Sequence, residues 1–93
     1  MGRALRLTTG FRRTFDRLAL TWSEPTRRAL LGTLNALSEA TLPAEGDYEA
    51  VIPPTRRAWI RRVPRANLWV FYAFNDAEVR VLAIVSQPPV PVQ

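Results

Sequence analysis

Ninety-three residues, 47% of them hydrophobic, suffice for one domain around one core and argue against disorder. The net charge of +5 comes from thirteen arginines against eight acids, with no lysine. That excess favours a polyanionic or acidic partner, although a GC-rich genome produces the same arginine bias. The missing residue types exclude more. Without His, Cys or Lys there is no Ser-His-Asp or Cys-His nucleophile, no Schiff base, no disulfide, no His/Cys zinc site and no P-loop lysine. The glycines at 2, 10, 32 and 46 build no phosphate-cradling loop, so neither metal nor cofactor is expected. Any catalysis has to rest on Arg, Tyr, Asp and Glu.

No apolar run reaches the roughly 18 residues of a membrane span. The opening Met-Gly-Arg-Ala-Leu-Arg is too polar for a signal peptide, so a cytoplasmic location with no membrane partner is expected.

In chain order, residues 3 to 8 predict a short strand, with Leu5 and Leu7 on one face and Arg6 on the other. Thr8, Thr9 and Gly10 offer caps for a first helix, whose apolar face is Phe11, Phe15, Leu18 and Trp22. Arg12 and Asp16 lie one turn apart and can pair. Ser23-Glu24-Pro25 starts a second helix running to about Ala40. Its stripe is Leu30, Leu34 and Leu37, widened by Ala29, Leu31 and Ala36. Gly32 weakens it by up to roughly 1 kcal/mol unless close packing requires a glycine there. The two helices form a hairpin.

A connector follows from Leu42 to Thr55, in which prolines 43, 53 and 54 forbid a helix. Tyr48 to Ile52 is read as a brief extended piece, and Glu45, Asp47 and Glu49 as an acid cluster preceding Arg56, Arg57, Arg61, Arg62 and Arg65. Three strands are then expected, at 59–63, 67–74 and 78–85, with turns at Pro64-Arg65-Ala66 and Asn75-Asp76-Ala77. The last two are apolar nearly throughout and so are expected to be covered on both faces or to lie centrally. Residues 87–93 read as an extended, proline-rich tail. The fold class is α+β: an N-terminal strand, a helical hairpin and a three-stranded antiparallel meander joined by that first strand, in a single domain over 1–93.

This order resembles the RelE/ParE superfamily of bacterial toxins from type II toxin–antitoxin pairs. The resemblance is carried by Thr9-Gly-Phe-Arg-Arg-Thr-Phe-Asp-Arg-Leu18, the leucine stripe of the second helix, Trp59-Ile-Arg-Arg-Val63, and Leu68-Trp-Val-Phe-Tyr-Ala-Phe-Asn-Asp76 running into Val79-Arg-Val-Leu-Ala-Ile-Val85. It implies growth inhibition relieved by a cognate antitoxin. RelE-like members are ribosome-dependent endoribonucleases that cut mRNA, with cationic side chains stabilising the transition state; ParE-like members inhibit DNA gyrase without catalysis. By this resemblance Arg61 occupies a basic position on the first meander strand. Where the family usually has an arginine opening the next strand, this chain has Asn67 or Leu68. Where it usually has a basic C-terminal segment, this chain has Ser86-Gln-Pro-Pro89.

The candidate catalytic residues are therefore Arg61, Arg65 and Tyr72, with Tyr72 the one plausible acid–base group on the sheet. Arg56, Arg57 and Arg62 are candidate RNA or phosphate contacts. Two alternatives stay open: a solvated edge strand on which arginines block edge pairing, and Tyr72 as a core residue with its hydroxyl at the surface. A non-catalytic binding protein, either a gyrase inhibitor or a degenerate toxin that only binds its antitoxin, is the second reading of function.

Overall fold

The structure is a computed structural model and describes residues 3–39, 42–44, 46–52 and 56–86, the side chains at 51, 52, 56 and 57 excepted. Strand β1 (Ala4–Leu7) leads into helix α1 (Thr9–Leu18), a short 3₁₀ turn (Ala19–Thr21) and helix α2 (Glu24–Glu39). Strands β2 (Tyr48–Ile52), β3 (Arg56–Arg62), β4 (Trp69–Phe74) and β5 (Glu78–Val85) follow. The sheet order is β1-β5-β4-β3-β2, with β1 parallel to β5 and every other pairing antiparallel.

The α+β architecture with two helices is as expected, but among the described residues the sheet has five strands rather than four. Tyr48–Ile52 pairs with β3 along its whole length and forms one edge. The sequence marks it as a brief extended piece, but nothing local in it signals a partner: its pairing becomes available only with β3 beside it. The proline-rich tail at 87–93 lies outside the described residues.

Each helix begins where a hydroxyl satisfies an otherwise orphaned backbone N–H. Thr8 Oγ1 accepts from Phe11 N at 3.3 Å and itself donates to Val81 O at 3.0 Å, so the cap also fixes α1 to β5. Ser23 Oγ accepts from Thr26 N at 3.3 Å at the start of α2. The α1 stripe packs as an aromatic ladder, with Phe11–Phe15 and Phe15–Trp22 ring centroids 6.0 and 5.6 Å apart. Leu30, Leu34 and Leu37 of α2 are buried.

Three features of the hairpin differ from expectation. Leu31 is 53% exposed and Ala36 is exposed, so the α2 stripe is narrower than the sequence suggested. Gly32 is exposed, and a Cβ there would meet nothing within 4 Å, so close packing does not explain it. Nor do Arg12 and Asp16 pair: both are exposed and no ion pair joins them.

The sheet has a core on each side. On the helical side, Val63, Leu68, Val70, Tyr72, Val79, Val81 and Ile84 pack with Phe11 and the α2 leucines. The alternate residues Ile60, Trp69 and Phe71, with Ala50 and Ala58, form a second cluster on the opposite side. Strand β4 is thus buried on both faces, as its apolar run implied. Between Phe71 and Tyr72 the β4–β5 register shifts by a bulge. Among the described residues no helix is long and apolar enough to cross a membrane.

Candidate functional site

The sheet brings Arg61 and Tyr72 together, on the helical side, through a residue the sequence reading had not assigned to them. The register pairs Tyr48 with Ile60, so one step outward Asp47 stands opposite Arg61 across β2 and β3. A tight turn delivers it there: Asp47 N donates to Ala44 O, and Gly46 between them has φ 90°, in the left-handed region glycine tolerates.

The Asp47 carboxylate is the hub. Its Oδ1 accepts from Arg61 Nε at 3.0 Å, and its Oδ2 accepts from Arg61 Nη2 at 2.9 Å and from Ala44 N at 3.0 Å. The Tyr72 hydroxyl also donates to Oδ2. The Arg61 guanidinium lies 5.8 Å from the centre of the Tyr72 ring. The side chains of Asp47 and Arg61 are only 3% and 14% exposed, and Tyr72 is fully buried.

Burial by itself raises the Asp47 carboxyl, but the hydrogen bonds from Arg61, Tyr72 and Ala44, with the arginine charge, outweigh it and hold the group below its ordinary value. The hydrogen bond to Asp47 raises Arg61 against the opposing effect of burial. Burial pushes the Tyr72 hydroxyl up, and the hydrogen bond to Asp47 and its charge push it further, beyond what Arg61 offsets. Tyr72 is thus a weaker acid than a free phenol, its proton already committed to Asp47. Its hydroxyl is not at the surface, as the core-residue alternative supposed. Arg61 has its guanidinium fork closed on a carboxylate rather than open to a phosphate.

The other candidates lie elsewhere. Arg65 is exposed in the turn after β3, with φ 61°, and has no partner among the described residues. Arg62 points to the opposite side of the sheet from Arg61, with its guanidinium 5.8 Å from the Trp69 ring centre. Arg56 and Arg57 contribute backbone to β3, and their side chains lie outside the described residues. Arg12, Arg13 and Arg17, exposed along α1, likewise lack a carboxylate partner among the described residues.

Compared with known proteins, the chain matches no family model, no curated sequence and no solved structure.

Proposed function

We propose that the chain is a growth-inhibiting protein of the RelE/ParE toxin type, relieved by an antitoxin, and that it acts on the ribosome or its RNA by binding rather than by cutting. The toxin reading rests on the order of strand, helical hairpin and antiparallel strands, on the motifs quoted above, and on the arginine excess. The additional edge strand β2 sets this sheet apart from the expected pattern.

One observation carries the choice of binding over cutting: a single carboxylate, Asp47, engages both Arg61 and Tyr72. Attack of a ribose 2′-hydroxyl on phosphate needs a group to take a proton and a cation to stabilise the developing charge. Here the cation is neutralised and the hydroxyl is buried as a donor. The arginines of α1 and Arg65 supply exposed positive charge without that constraint.

Tightly induced expression in a bacterial host, with pulse labelling of protein and DNA synthesis, tests the reading. Early arrest of protein synthesis with intact mRNA supports it. Early arrest of DNA synthesis redirects it to gyrase, mRNA cleaved at ribosomes restores the nuclease reading, and unimpaired growth rejects a toxin altogether.

A further inference from the structure

A second charged cluster lies away from Asp47, where β1 meets β5. The parallel register places Arg6 directly opposite Arg80. Like charges facing each other on adjacent strands are destabilising. Glu78, two residues before Arg80 and on the same face, relieves the repulsion only in part. Its Oε1 accepts from Arg80 Nε at 2.8 Å and its Oε2 pairs with Arg6 Nε. One carboxylate thus serves two guanidiniums, leaving a net charge of +1.

The geometry of the sharing matters more than the count. Each arginine meets Glu78 through Nε, and the Nη groups form no hydrogen bond among the described residues. The Arg6 and Arg80 side chains are 69% and 61% exposed, whereas Glu78 is 15% exposed and lies beneath them. The hydrogen bond from Arg80, then that from Arg6, keeps the Glu78 carboxyl below its ordinary value against the effect of burial, so the anchor stays charged. Two open depressions flank the ridge of Glu78 and Arg80. One, of about 450 Å³, is lined by Arg6, Leu7, Thr8, Glu78 and Arg80. The other, of about 230 Å³, is lined by Ala73, Phe74, Asn75, Glu78 and Arg80.

We propose that Arg6 and Arg80, oriented by Glu78, form a phosphate-binding fork for the phosphodiester backbone of a single-stranded nucleic acid. Guanidinium Nη groups held side by side match the oxygens of a phosphate. Two depressions sharing Arg80 suit consecutive phosphates of a chain better than one free anion. The inference rests on the RNA-directed reading above and gives it a site on the side of the sheet away from Asp47.

The test is binding of a short fluorescent single-stranded RNA to the full chain across a salt series, with wild type and Arg6→Gln/Arg80→Gln compared. The double variant is expected to bind about tenfold or more weakly, and the slope of log K against log salt to fall by about 0.7 for each arginine lost, the value for single strands. Single-stranded DNA of equal length is expected to bind comparably, because phosphate contacts do not read the sugar. A measurement on unaltered protein guards against misfolding: the Nε–H signals of Arg6 and Arg80, followed by NMR, are expected to shift as RNA is added. Unchanged affinity and slope in a folded double variant, or unmoved signals in wild type at saturating RNA, overturns the proposal. So does a polyglutamate peptide that shifts those signals at equal affinity, or binding that requires the 2′-hydroxyl. Growth is a separate readout. RNA binding lost in the double variant alongside wild-type expression that never arrests growth keeps the fork and removes the toxin reading; growth arrest with no binding at the fork does the reverse.

Discussion

Asp47 and Arg61, fourteen positions apart in the chain, are joined by two hydrogen bonds of 3.0 and 2.9 Å that close the guanidinium fork on the carboxylate. Tyr72, 25 positions beyond Asp47, donates its hydroxyl to the same carboxylate. The connector after α2, strand β3 and the central strand β4 are thereby tied at one point. Because all three groups are shielded from water, removing one leaves the others with unmet charge or hydrogen-bonding capacity.

Asp47→Asn is therefore expected to destabilise the protein by about 2–4 kcal/mol, since it leaves the Arg61 charge without its counter-ion. Urea denaturation followed by tryptophan fluorescence reads this directly. Tyr72→Phe removes only the hydroxyl and is expected to cost about 1.5–3 kcal/mol, the range for a hydrogen bond to a charged group. Because both act on one carboxylate, the double variant should lose less than the sum of the two. Strict additivity would show that the hydroxyl and the carboxylate do not communicate.

The same network sets the acid limit of stability. Asp47 titrates lower in the folded state than in the unfolded chain, where an aspartate titrates near pH 3.9. A depressed carboxyl contributes stability that is present above the unfolded value and is lost as pH falls through the folded one. Wild type is expected to lose stability progressively below about pH 4. Asp47→Asn should show a shallower acid limb, superimposed on its lower stability at neutral pH. Equal slopes in the two proteins would place the acid-sensitive group elsewhere.

The alkaline side carries the opposite sign. Burial and the bond to Asp47 raise the Tyr72 hydroxyl above its unfolded value of about 10. The folded state holds that proton more tightly, so the stability is fully present below about pH 10 and is lost as pH rises further. In a Tyr48→Phe background, phenolate absorbance reports Tyr72 alone, and its appearance should coincide with unfolding rather than precede it. Titration at the ordinary value in still-folded protein would mean that the hydroxyl faces water.

The helices, the last two strands and their turns were legible because each is governed by local rules. Thr8 and Ser23 mark helix starts, leucines at 30, 34 and 37 mark a buried stripe, and Asn75 marks a turn. Its Oδ1 accepts from Ala77 N and Glu78 N at 2.8 and 2.9 Å. Asp47 was not legible for the complementary reason. Its role depends on β2 being a strand and on the register that sets it opposite Arg61, and both arise only when β3 is present. An acid in a Gly-Asp turn just before a β-branched stretch, with an arginine at the mirrored position of the next one, is the signal that would have found it. The arginine cluster misled in the same way: Arg61, Arg62 and Arg65, close in sequence, are separated in the fold among a buried ion pair, an aromatic contact and an exposed turn.

Gly46 and Gly32 make contrasting predictions from one residue type. Gly46 has φ 90° in the turn that presents Asp47, so Gly46→Ala is expected to destabilise by about 1 kcal/mol and to weaken the Asp47–Arg61 pair. Gly32 lies in the exposed interior of α2 with open space around it. There an added methyl meets no obstacle, and the unfolded chain loses conformational freedom. Gly32→Ala is expected to stabilise by about 0.5–1 kcal/mol. Thermal unfolding of both variants checks the pair, with midpoints moving in opposite directions by a few degrees for a domain of this size. A fall in the Gly32→Ala midpoint would mean that α2 is packed against something at that position in solution.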